Sequence, residues 1–125
     1  MNIYLFYYER EGRKKVEGKL REYMRHFESC GDNQLVVIPR GFDFYLIDIE
    51  NVNIGDLKKL RQEQPSSQIV GLISSKQSLR KKHNEGKNLK DLIFATDILF
   101  EVSELTKGNS TAIHWIAQHI KEKGL

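Results

Sequence analysis

The apolar run FDFYLIDIE, residues 42 to 50, carries an acid, Asp48, close to its end. A carboxylate in that place could serve a ligand at the mouth of a sheet, or could simply cap the loop that follows it. Two other segments bring polar side chains to comparable positions. NIYLFYY (2–8) runs into Glu9, and QIVGLIS (68–74) ends on Ser74 with Ser75 next. If these segments are neighbouring strands, Tyr8, Glu9, Asp48, Ser74 and Ser75 converge on one rim. A second chemical feature is KQSLRKKHNEGKNLK (76–90), where Lys76, Arg80, Lys81, Lys82, Lys87 and Lys90 crowd a stretch whose one early apolar residue is Leu79. It reads as solvated surface. A basic run without interleaved aromatics is a poor nucleic-acid signature, so its targets, if it has any, are acidic protein or a phosphate backbone.

The elements that would position these groups follow from hydrophobic period. Val16, Leu20, Tyr23, Met24 and Phe27 recur at steps of three and four, with Lys15, Lys19, Glu22 and Arg25 on the other side, which predicts an amphipathic helix stopped by Gly31. QLVVI (34–38) is the expected second strand, FDFYLIDI (42–49) the third, QIVGLIS the fourth and ILFEV (98–102) the fifth. Asn53 caps a short helix with Ile54, Leu57 and Leu60 inward, and Asn88 opens another carrying Leu89, Leu92 and Ile93. Asn109 or Ser110 starts the last, with Ala112, Ile113, Ile116, Ala117 and Ile120 on its buried face.

The strands are too apolar to alternate cleanly, which calls for cover on both faces. The fold predicted is therefore α/β in three layers, a mostly parallel five-stranded sheet with helices on both faces. One connection resists it. Only PRGFD (39–43) separates the expected second and third strands, whereas a parallel crossover needs a dozen residues or more. Either the second helix is short or missing and the sheet edge rearranged, or these strands run antiparallel around a Pro39-Arg40-Gly41 turn.

Composition sets the outer bounds. A chain of 125 residues, 39% hydrophobic and 30% charged, fits one soluble domain spanning 1–125. Its net charge of +3, from 20 basic against 17 acidic residues, is too balanced to announce nucleic acid by itself. No apolar run approaches the roughly 20 residues that cross a bilayer, and the start lacks a signal-like core, so no membrane insertion and a cytoplasmic location are expected. Cys30 is the single cysteine, which agrees with a reducing compartment. His26 and Cys30, four apart, are too few ligands for zinc.

On these residues the chain resembles the receiver domain of two-component response regulators, with its CheY-like, flavodoxin-like fold. DFYLIDIE (43–50) resembles the segment ending in the phosphate-accepting aspartate, IVGLISS (69–75) the strand ending in a threonine or serine, and ATDILFEV (95–102) the fifth strand. The resemblance implies that Asp48 would take the phosphoryl group, that Ser74 would be the hydroxyl turning toward it, and that Glu9, with Asp48, would hold Mg²⁺.

Transfer to a carboxylate rests on positioning and charge neutralisation, so it needs a divalent cation and a fixed positive group. The sequence departs from the family at both. Tyr7-Tyr8-Glu9-Arg10 stands where two consecutive acids are expected, and Glu101-Val102 where a lysine and proline are. Ile98 replaces the switch aromatic. The expectation is a non-catalytic, receiver-like regulatory module, without a cofactor, acting through a protein partner or as a homodimer. Its partner surface would draw on Lys81, Lys82, Ile98, Phe100 and Trp115. The alternatives are a Mg²⁺-dependent phosphoacceptor using Asp48, and an accessory protein that meets nucleic acid through residues 76–90 or an attached effector.

Overall fold

The computed structural model of the chain describes residues 2–24, 26–32, 37–75, 77–78, 80, 89–106, 114–116 and 118. In chain order the elements are β1 (Ile3–Phe6), α1 (Arg10–Tyr23), β2 (Glu28–Ser29), β3 (Phe44–Asp48), α2 (Ile54–Glu63), β4 (Gln68–Ile73), α3 (Leu89–Phe94), β5 (Ile98–Glu101) and α4 (Val102–Thr106). Residues 114–116 are also helical. The five strands form one sheet in the order β2-β1-β3-β4-β5, every pair parallel. This is the flavodoxin-like 2-1-3-4-5 order, so the α/β class read from the apolar strands holds.

Alternation along the strands builds two cores. Ile3, Leu5, Phe44, Leu46, Val70 and Leu72 face α1 and α4, where Val16, Leu20, Leu105 and the helical Ile116 close over them. Tyr4, Phe6, Tyr45, Ile47, Ile69 and Ile73 face the other way, onto Leu57 and Leu60 of α2 and Leu92 of α3. Every residue of β3 is buried, as a strand near the middle of a doubly covered sheet requires. Tyr45 can be fully buried because its hydroxyl donates to the Pro39 carbonyl at 2.8 Å.

Two boundaries differ from the expectation, and together they remove the crossover difficulty. Helix α1 already begins at Arg10, inside the charged run after β1, and ends at Tyr23, where Met24 turns extended (φ −139°, ψ 135°). Met24 and Phe27 still pack on the first core, so the apolar stripe is real but extended chain carries its last part. The second strand then lies earlier, at Glu28–Ser29, paired with Tyr4 and Leu5. That leaves residues 30 to 43 to cross over, enough for a parallel connection. Residues 34–36 of QLVVI lie outside the described residues. Val37 is exposed and Ile38 is a buried plug in the second core, neither in a strand. Among the described residues of this crossover there is no helix.

Residues 102–106 form a short helix where the fifth strand was expected to reach Val102, because Val102 and Leu105, three apart, both bury there. Ile93 of α3 is 38% exposed, and its neighbour Phe94 is 73% exposed. Asn88, Asn109, Ser110, Ala112, Ile113, Ala117 and Ile120 lie outside the described residues. Among those described, no helix is long and apolar enough to cross a membrane.

Candidate functional site

Asp48 closes β3 with its side chain on the side of the sheet that carries Leu46 and Phe44, and it is 1% exposed. Its carboxylate is gripped from three directions. Oδ2 accepts the backbone N–H of Tyr8 at 3.0 Å and the side-chain amide of Asn51 at 2.8 Å, while Oδ1 accepts the backbone N–H of Glu50 at 3.0 Å. The last contact spans two residues, the geometry by which an aspartate stabilises a turn. The Asp48 carbonyl also accepts the N–H of Val52 at 3.0 Å, so Asp48 both ends the strand and shapes the entry to α2. Burial pushes the Asp48 carboxyl above the ordinary carboxylate range, and the nearby Glu50 adds to this against the opposing pull of the three donors.

Ser74 does face the rim, but its hydroxyl donates to Oε2 of Glu50 at 3.0 Å. Glu50 is itself buried at 7% exposure. The acid that bears on Asp48 is therefore Glu50. Glu101, which stands where the resemblance puts a lysine, lies one register step beyond Phe100, which aligns through Leu72 with Asp48, so it belongs to the opposite face of the sheet. Beside Asp48 on its own face lies Tyr7, buried in the first core, whose phenol is pushed up to about 12 by burial and by the negative charges of Asp48, Glu50 and Glu9.

Glu9 is the N-cap of α1. Its Oε1 accepts the N–H of Glu11 at 2.9 Å and its Oε2 that of Gly12, which holds its pKa below the usual carboxylate value, Gly12 contributing most. The first turn approaches closely because residue 12 has no side chain. A Cβ there would meet the Tyr7 ring at 2.6 Å and the Glu9 carboxylate at 2.8 Å. Both carboxylates proposed for Mg²⁺ are thus occupied by backbone donors. Among the described residues no group of three or more potential ligands could hold a metal ion, and no Lys or Arg pairs with Asp48.

Positive charge is present at the rim, one layer away. Arg13 is 2% exposed, and its Nη1 donates to the carbonyls of Tyr7 and Tyr8 at 3.2 and 3.3 Å. Its Nη2 pairs with Asp32, and its Nε lies 3.8 Å from Glu17. Arg13, Glu50 and Asn51 were not singled out from the sequence. Arg13 falls three residues before Val16 on the same apolar stripe, and Asn51 and Glu50 follow Asp48 at turn spacing, so both signals were there.

The expected partner surface is divided. Ile98 and Phe100 sit half-buried on the edge strand β5, and Trp115 packs edge-on against Phe100 with ring centroids 5.7 Å apart. Lys81 and Lys82 lie outside the described residues, as do Lys76 and Lys87. Lys90 stands over the exposed Phe94 ring at 5.9 Å. No protein-family model matches this chain, and none of the curated proteins matches it in sequence.

Proposed function

We propose that this chain is a receiver-like regulatory module in bacterial-type signalling, without catalytic activity of its own, that acts by binding a protein partner or by dimerising. The support is the 2-1-3-4-5 parallel order with an aspartate at the end of β3, the position that the resemblance assigns to a phosphoacceptor. The observation that carries the non-catalytic half is the state of that aspartate. An attacking carboxylate needs an open oxygen and positive charge to neutralise the incoming phosphoryl group. Asp48 is buried, both of its oxygens accept hydrogen bonds from its own fold, and its neighbour is Glu50. Ser74, the switch hydroxyl of the resemblance, is directed to Glu50.

On this reading Asp48 is a clasp that shapes the rim, and no Mg²⁺ is used. The output is a contact through the β5 edge with Ile98, Phe100 and Trp115, in a cytoplasmic setting. Incubation with acetyl phosphate and Mg²⁺, followed by intact mass measurement, tests it. No adduct is expected. A near-stoichiometric adduct that disappears in Asp48→Asn would instead make the chain a Mg²⁺-dependent phosphoacceptor. Sedimentation at increasing concentration tests the contact, with association expected and weakened by Trp115→Ala. Salt-dependent binding of DNA or RNA that is lost in Lys81→Glu with Lys82→Glu would favour the nucleic-acid alternative.

A further inference from the structure

Chain progress reverses direction between β1 and β3 in the order β2-β1-β3-β4-β5, and ligand crevices in open α/β sheets form outside the carboxyl ends of the strands at such a point. A cleft of about 580 Å³ opens there. Phe6, the last residue of β1, and Asn51 and Val52, in the loop leaving β3, reach it from the sheet, while Val37 and Ile38 of the crossover form the facing wall. It lies on the face of the second core, beside α2, where the described part of the β2–β3 crossover runs without a helix.

Size selects the kind of occupant. Small-molecule pockets commonly hold roughly 300–1,000 Å³. The cleft, at about 580 Å³, falls in the small-molecule range. Polarity narrows the class further. Arg40 reaches the cleft but is committed to Asp56 and Glu63, and Asp56 also accepts the N–H of Ile38 at 2.8 Å. Asn53 uses its oxygen to cap α2, accepting the N–H of Asp56 at 3.0 Å, which leaves its amide nitrogen as a donor. Lys59 lines the cleft and forms no ion pair among the described residues. Beside the apolar wall, the donors left over are the Lys59 ammonium and the Asn53 amide.

We propose that this cleft binds a small molecule combining one acidic group, phosphate or carboxylate, with an apolar body. The acidic group meets Lys59 and the Asn53 amide, and the body lies against Phe6, Ile38 and Val52. This site does not depend on whether Asp48 accepts phosphoryl groups. Amide chemical shifts of the ¹⁵N-labelled protein, titrated separately with AMP, sodium benzoate and inorganic phosphate, test it. AMP or benzoate is expected to saturate shifts in residues 51–59 with a Kd of about 1 mM or tighter, whichever binds more tightly identifying the acid, and inorganic phosphate to bind more weakly. Lys59 is exposed, so Lys59→Glu leaves the fold intact, and it is expected to weaken binding about tenfold or more. The proposal is overturned if neither AMP nor benzoate saturates these amides, if inorganic phosphate binds as tightly as they do, or if Lys59→Glu leaves the affinity unchanged.

Discussion

The backbone N–H of Tyr8 donates to Oδ2 of Asp48 at 3.0 Å, so a side chain clasps the ends of β1 and β3 just past the last paired residues, Phe6 and Ile47. The same carboxylate holds Glu50 and Asn51. Asp48→Ala removes the acceptor for three donors in a buried place, and the expected loss is ~3 kcal/mol of unfolding free energy, since each stranded donor costs about 1–3 kcal/mol and water can reach some of them. Asp48→Asn keeps one acceptor oxygen and is expected to cost about half as much. Urea denaturation checks the order. A neutral Asp48→Ala would mean that the clasp contributes nothing to stability.

Asp48 and Glu9 give stability opposite dependences on pH. Burial raises the Asp48 value in the fold, so the folded chain binds this proton more tightly than the unfolded chain. Its contribution is greatest below the unfolded value of about 3.9 and is lost as pH rises through the raised folded value. Glu9 is lowered, chiefly by the Gly12 N–H. Its contribution is present above the unfolded value and is lost as pH falls through the folded one. Urea midpoints measured from roughly pH 3 to 8 should lose the first slope in Asp48→Asn and the second in Glu9→Gln. Parallel profiles for wild type and Asp48→Asn would contradict the burial argument.

Arg13 holds the carbonyl of the Tyr7–Tyr8 peptide, whose N–H meets Asp48, and the next carbonyl along the chain. Its guanidinium reaches Tyr7 and Tyr8 carbonyls and Asp32 together, a fan of donors that an ammonium group cannot reproduce. Arg13→Lys is expected to cost ~2 kcal/mol and to move the Tyr8 amide resonance, because buried carbonyls lose charge-assisted donors. A thermal melt and one amide spectrum decide it. An unmoved Tyr8 resonance would separate Arg13 from the clasp.

What could be read from the chain alone tracks what burial writes into a sequence. Phe44 to Ile47 and Ile69 to Ile73 are buried on both sheet faces, and unbroken apolar runs announced them. Glu28 and Ser29 form an edge strand two residues long, with one side chain exposed and the other half-covered. Only the backbone pairing with Tyr4 and Leu5 defines it, and QLVVI drew the second strand to a more apolar place. At the rim, Asp48 stood out because an acid interrupts hydrophobic sequence, but its partners are mostly backbone N–H groups, which leave no mark on residue type. The Ser74 hydroxyl donates to Glu50, a pairing that no pattern in the sequence announced.

Gly71 tests a close-packed place in the second core. It lies in β4 between Ile47 of β3 and Leu99 of β5, and a Cβ there would stand 2.4 Å from Cδ2 of Leu99 and 3.1 Å from the Cγ2 atoms of both Ile49 and Thr96. The end of Leu99 can swing, but Ile49 and Thr96 are branched at Cβ and stiff. Gly71→Ala is therefore expected to cost about 1–3 kcal/mol from overpacking. Leu99→Ala alone opens space and costs a comparable amount. Combined, the two should be less harmful than their sum by ~1 kcal/mol, because the methyl added at 71 enters the space vacated at 99. A double-mutant cycle in urea measures the coupling, and additivity within about 0.5 kcal/mol would show that Leu99 is not what keeps position 71 small.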